Sequence, residues 1–189
     1  MPQKIDLLEL IKDKYTYPNW STGRQYKLEG EILSRNKILI YYIATNHITK
    51  RKFQKIFPRY IYLTPSFCWV LGFFKAEGLS SIKNKAYYRF NITNKKPLFL
   101  KKVFTEIEKA GLLLKDEIKG RCFQIHHFKN DPEIVKKYWS NNLEFPIEMF
   151  VVRDYNHNLT KEGNGVCHFD ISNVLLRRVL DLINDKVIE

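Results

Sequence analysis

The sequence has no apolar run approaching the roughly 18 residues that a membrane-crossing helix needs. Its opening, MPQKIDLLELIKDK, lacks the apolar stretch and small-residue cleavage site of a signal peptide. The expectation is an intracellular protein, of cytoplasm or nucleoid, with no membrane partner. Cysteine is scarce. Cys68, Cys122 and Cys167 are odd in number, far apart and set among apolar residues. Without a CxxC pair or a Cys/His cluster, neither a disulfide framework nor a zinc site is expected, and buried reduced thiols are. The five histidines show no metal-binding spacing. A P-loop, a Gly-rich dinucleotide turn and a nucleophile elbow are all missing, which removes the commonest nucleotide-binding and hydrolase signatures.

What is present is a chain of 189 residues, 44% hydrophobic and 28% charged. That suffices for one substantial domain, or for a core domain with an appended segment. The net charge is +12, which points to polyanionic partners. The charge is unevenly spread. Residues 79–129 carry 12 Lys/Arg against 4 Asp/Glu, whereas acids outnumber bases beyond residue 130.

Residues 1–60 read as a basic helical N-terminal extension. Ile5, Leu7, Leu8, Leu10 and Ile11 fit a short amphipathic helix, and Ile38 to Ile43 a buried one. TKRKFQKIF, capped by Thr49, fits a basic helix ending at Pro58. Residues 61–189 read as the main domain. In TPSFCWVLGFFKAEG (64–78) Thr64 is a good N-cap, Pro65 suits the first helical position and Gly78 is a natural stop. Gly72 and Ala76, four apart, share one face of this apolar helix and permit close approach of another helix.

AYYRFNIT (86–93) alternates, with Tyr88, Phe90 and Ile92 on one side and Tyr87, Arg89, Asn91 and Thr93 on the other. LSSIKNK before it can supply its hairpin partner. Pro97 opens a helix through Ala110, and LLLKDEIKGRCFQIHHF reads as a second hairpin turning near Lys119-Gly120. Asp131-Pro132 caps a further helix. Residues 149–155 and 166–171 look like strands, and Val174 to Ile183 like a closing helix. RFNITNKKPLFLKKVF (89–104) and HFDISNVLLRRVL (168–180) form a partial internal repeat of strand, Asn and helix.

VLGFFKAEG (70–78), followed by this αββαββα order, resembles the LAGLIDADG homing endonucleases. Gly72, Ala76 and Gly78 match the small residues of the family's nine-residue motif, and Glu77 matches its last acid. Lys75 departs from the pattern, standing where the family often has its first acid. The resemblance covers roughly 65–140 and leaves 1–60 aside. It implies an α+β fold whose LAGLIDADG-type αββαββα core carries a saddle-shaped antiparallel sheet. It implies a helix seam at Gly72 and Ala76, and Glu77 as the catalytic, metal-binding acid. Glu77 would sit at a helix C-terminus, where the helix dipole disfavours a negative charge.

The family hydrolyses phosphodiesters of double-stranded DNA with Mg²⁺, or Mn²⁺, held by paired acids. One motif implies a homodimer. The alternative is a degenerate second half over 143–189, with FPIEMFVVRDYNHN (145–158) in the motif's place and Asp154 its only acid. On the polar strand face Arg89 suits guanine, and Asn91 or Gln124 suits adenine. Lys83, Lys85 and Arg121 suit phosphates, and His126 suits DNA or the cleavage centre. Two other outcomes stay open: a transcriptional regulator that kept the fold and lost cutting, and an RNA-binding maturase.

Overall fold

The computed structural model describes residues 3–18, 23–45, 48–77, 89–153 and 163–188. The fold is mixed α and β. The largest departure from the sequence reading lies in residues 1–60, which are mostly strand. They hold β1 (Gln3–Asp6), one short helix α1 (Leu7–Ile11), β2 (Tyr15–Thr16), β3 (Tyr26–Lys27), β4 (Glu29–Ser34), β5 (Lys37–Thr45) and β6 (Lys50–Pro58).

The physical reason is visible in β5. Ile38, Ile40 and Tyr42 are buried, while Leu39 and Tyr41 are only half-buried. A short apolar run does not separate strand from helix by periodicity alone, and its β-branched and aromatic content favours the strand. In β6 the four-residue spacing of Phe53 and Phe57 suits either period, and the sheet prevails. β4, β5 and β6 form one antiparallel sheet.

β1 pairs antiparallel with β7 (Tyr60–Leu63). Asp6 caps α1 by accepting from the Leu8 amide at 3.0 Å, and it pairs with Arg59 at 2.9 Å. Ile5, Leu7, Ile11, Ile38 and Ile40 enter the same buried cluster as Phe67, Phe90 and Phe169.

The helices that follow match expectation. In α2 (Pro65–Glu77) the Thr64 hydroxyl accepts from the Phe67 amide at 3.1 Å. Its core face is Phe67, Val70, Leu71 and Phe74, a helical spacing. α3 (Pro97–Lys109) ends before Gly111, whose φ of +68° favours glycine. α4 (Pro132–Leu143) is capped by Asp131, which accepts from the Glu133 amide at 2.9 Å. α5 (Val174–Ile188) is preceded by Asn173, which accepts from the Leu176 amide at 3.0 Å.

A four-stranded sheet underlies these helices. It contains β8 (Phe90–Asn94), β9 (Phe123–His126), β10 (Phe150–Val152) and β11 (Val166–Ile171), in the order β10–β9–β11–β8. β9/β11 and β11/β8 are antiparallel, and the β10/β9 pair is parallel.

The second expected hairpin does not form. Residues 115–117 make a 3-10 turn, and β9 is the only strand between α3 and α4. Leu112, Leu113 and Ile118, which suggested its other strand, are buried from a loop instead. The antiparallel partner of β9 is β11. The proposed first-hairpin partner, LSSIKNK, and residues 86–88 lie outside the described residues. The stretch proposed as a second motif also differs. Its described part, to residue 153, is a 3-10 turn (Ile147–Met149) and β10 rather than an apolar helix. Asp154 lies outside the described residues. No helix among the described residues is long and apolar enough to cross a membrane.

Candidate functional site

Strand alternation builds a two-sided sheet. Phe90, Ile92, Phe123, Ile125, Cys167 and Phe169 point into the core. The other face carries Asn91 and Thr93 on β8, Gln124 and His126 on β9, and His168 and Asp170 on β11. Register sets their neighbours: Asn91 lies opposite Asp170, Thr93 opposite His168, and His168 in turn opposite Gln124. Arg89 stands just before β8 and Arg153 just after β10. The structure therefore brings four of the expected residues, Arg89, Asn91, Gln124 and His126, onto one face.

The face is internally bonded. The Arg89 guanidinium contacts the Asp170 carboxylate at 2.6 Å. Thr93 Oγ1 and His168 Nδ1 are 2.5 Å apart. His168 Nε2 lies 3.8 Å from the same Asp170 oxygen, beyond hydrogen-bond length but close enough to act electrostatically. Burial pushes the Asp170 carboxyl up, yet His168 and Arg89 outweigh it and hold the group below the usual carboxylate range. Arg89 makes the closer contact of the two. Burial pushes the His126 imidazole below its ordinary value, and His168, His127 and Arg153 act in the same direction.

Asn91 corrects an expectation. Only 2% of it is exposed, so it offers almost no edge to a base. Gln124 is half-buried, and Arg121 and Lys119 are exposed beside β9. A cleft at this end of the sheet is lined by Glu117, Lys119, Arg121, Asp170, Ser172 and Asn173. Lys83 and Lys85 lie outside the described residues.

The motif helix places its residues differently. Glu77 is the last residue of α2 and is exposed; Gly72 and Ala76 are exposed too, on the side away from the core. A Cβ built at Gly72 meets nothing within 4 Å. Beside them, half-buried Trp69 and Phe73 stack at 5.1 Å between ring centres. Among the described residues no group of three or more His, Cys, Asp or Glu side chains could hold a metal ion. Glu77 is thus one carboxylate per chain, not a complete cage.

His168 and Thr93 are members of the face that the sequence does not single out for the site, and Asp170 is expected only as a reserve metal ligand after Glu77. The internal repeat held the signal, since it aligns His168 with Arg89 and Asp170 with Asn91. Cys122 and Cys167 are buried as expected, and burial pushes the Cys122 thiol up to about 12. Cys68 is half-exposed on α2. No family model matches the chain, and no curated protein does.

Proposed function

We propose that this protein binds double-stranded DNA across the outward face of its four-stranded sheet, and that it is a site-specific, metal-dependent endonuclease of the LAGLIDADG kind. One observation carries the binding reading. Donor and acceptor side chains share one face: Gln124 and His126 of β9, His168 of β11 and Arg89 just ahead of β8, with Lys119 and Arg121 at its edge. Gln124 and His126 are suited to base edges, and the exposed cations to phosphates. Arg89 begins bound to Asp170, so a contact to guanine means exchanging one acceptor for another.

Glu77 is the residue proposed for metal. A single exposed carboxylate suits Mg²⁺, which keeps several waters and binds through one or two carboxylates. Two copies meeting through the exposed Gly72–Ala76 side of α2 would bring two Glu77 side chains together. The ion would supply an activated water and a stabilised leaving oxygen. Lys75 favours a second reading, a regulator that binds without cutting, because it puts an ammonium where a second acid would serve the metal.

The test is selection from a randomised duplex library with Mg²⁺, sequencing bound and cleaved pools. Both pools should enrich one site. Glu77→Gln should abolish cleavage and leave binding intact or tighter, since one carboxylate near phosphates is removed. Enrichment in the bound pool alone, with Mg²⁺ and with Mn²⁺, would establish the regulator. No enrichment in either pool would overturn site-specific binding.

A further inference from the structure

The basic segment 50–58 lies outside the four-stranded sheet, and its surroundings are unusual. Residues 32–76 contain eight Lys/Arg and no Asp or Glu. β5 and β6 are nine residues each and pair along their whole length, from Lys37–Pro58 to Thr45–Lys50. β4 pairs with β5 only as far as Tyr41. Beyond that point Tyr42–Thr45 and Lys50–Phe53 continue as a two-stranded ladder; β3 packs against β5 there, with the Tyr26 ring 5.8 Å from that of Tyr42, but adds no ladder to it among the described residues.

The ribbon holds its cations in place. Arg24 donates to the Thr45 carbonyl at 2.9 Å. Lys52 Nζ sits 4.0 Å from the centre of the Tyr41 ring, and the Arg51 guanidinium 4.9 Å from that of Phe53. Phe53 is itself stacked on buried Tyr42. Farther along the strand Lys55 pairs with Glu117, and Arg59 beyond it pairs with Asp6. Lys50, Arg51 and Lys52 are exposed and form no ion pair among the described residues. Two aliphatic side chains project beside them: Ile43 is 49% exposed and Ile48 92%.

We infer that the β5–β6 ribbon is a second DNA-binding element, an arm that enters the major groove while Lys50, Arg51 and Lys52 engage phosphates. A two-stranded ribbon fits the major groove of B-form DNA, and the narrow, deep major groove of duplex RNA excludes it. Ile43 and Ile48 suit apolar contact with thymine methyl groups on the groove floor. Charge complementarity selects the partner, because β5 and β6 carry no acid of their own, and the exposed Glu29 and Glu31 of β4 lie opposite Tyr41 and Leu39, short of the Lys50–Lys52 end.

The arm adjoins the sheet face. A cleft at its base is lined by Tyr42, Phe53, Lys55, Glu117, Ser172 and Asn173. Glu117, Ser172 and Asn173 also line the cleft that holds Arg121 and Asp170. One duplex can therefore pass from sheet face to arm. The inference rests on the proposed function in taking duplex DNA as the ligand, and it adds a contact that the sheet face does not need.

The experiment measures duplex DNA affinity of the full chain over a range of salt, for the unmodified protein and two variants. The arm variant is Lys50→Gln/Arg51→Gln/Lys52→Gln. The sheet-face variant is Lys119→Gln/Arg121→Gln. Circular dichroism and thermal melting check that each folds, and Lys50→Arg/Arg51→Lys/Lys52→Arg keeps the charge as a control. The arm variant should weaken binding on all sequences alike. It should lower the salt slope by roughly one per lost contact, so roughly two to three in all, and the charge-keeping variant should restore both. Unchanged affinity and slope in the arm variant, with the sheet-face variant impaired, would overturn the arm and leave the sheet-face reading standing. The reverse pattern would support the arm and sink the sheet face. Equal preference for duplex RNA, or binding to anionic vesicles but not to DNA, would overturn the arm as a groove-binding element.

Discussion

His126 shows how the sheet face is tuned residue by residue. Burial disfavours its charged form first, and His168, His127 and Arg153 add to that. A hydrogen bond to the Arg153 backbone only partly opposes them. The folded ring therefore takes up its proton at lower pH than the unfolded chain does. As pH falls through about 6.5, the unfolded state gains the proton first, and stability declines until the folded ring also titrates. Urea midpoints should accordingly drop on acidification below neutrality, and His126→Gln should flatten that drop. An identical decline in the variant would assign the effect to another group. At this scale the sequence was informative about which side chains share a face, because alternation in RFNIT and FQIH is strict. It did not reveal that Arg89 is held by Asp170 or that Asn91 is sealed. Both depend on β11 lying beside β8, a pairing across 81 positions that no local pattern specifies.

At the scale of elements, the capped helices were the most readable parts. Thr64-Pro65, Pro97 and Asp131-Pro132 each mark a helix start by chemistry confined to adjacent residues. β5 and β6 were not readable, because their apolar spacing fits two periods and only their pairing with each other decides. The internal repeat proved geometrical. β8 and β11 lie antiparallel with the equivalent positions Asn91 and Asp170 directly opposite, and each strand leads into a helix through an Asn. α2 gives a sharp test of assembly. Gly72 faces open space, so Gly72→Leu introduces no clash within one chain. Removing an exposed helical glycine should stabilise the fold by about 0.5–1 kcal/mol. If two copies meet through this face, the same change should lower the sedimenting mass from dimer to monomer while the melting temperature holds or rises. A monomer before and after the substitution would remove the homodimer. Cys68 lies one turn before Gly72, so its alkylation rate should fall as the unmodified protein is concentrated.

For the whole molecule, the N-terminal strands and the helices share one buried cluster. Ile40, fully buried in β5, packs within it. Ile40→Ala should cost about 2–5 kcal/mol. It should also lower the unfolding midpoint equally by far-ultraviolet circular dichroism and by tryptophan fluorescence, to which Trp20, Trp69 in α2 and the buried Trp139 in α4 contribute. Separate transitions would show that the two regions unfold independently.

The same closure has a consequence for synthesis. α1, with Leu7 and Ile11 buried, packs against α5, and Arg178 on α5 donates to the Tyr15 carbonyl at 2.8 Å. During synthesis α1 thus waits for α5. At about 5–20 residues per second, the 163 positions from Tyr15 to Arg178 take roughly ten to thirty seconds to be added. Throughout that time the seat of α1 stays open, so the core closes only once α5 has been made, and its slow steps carry the penalty of long-range contacts.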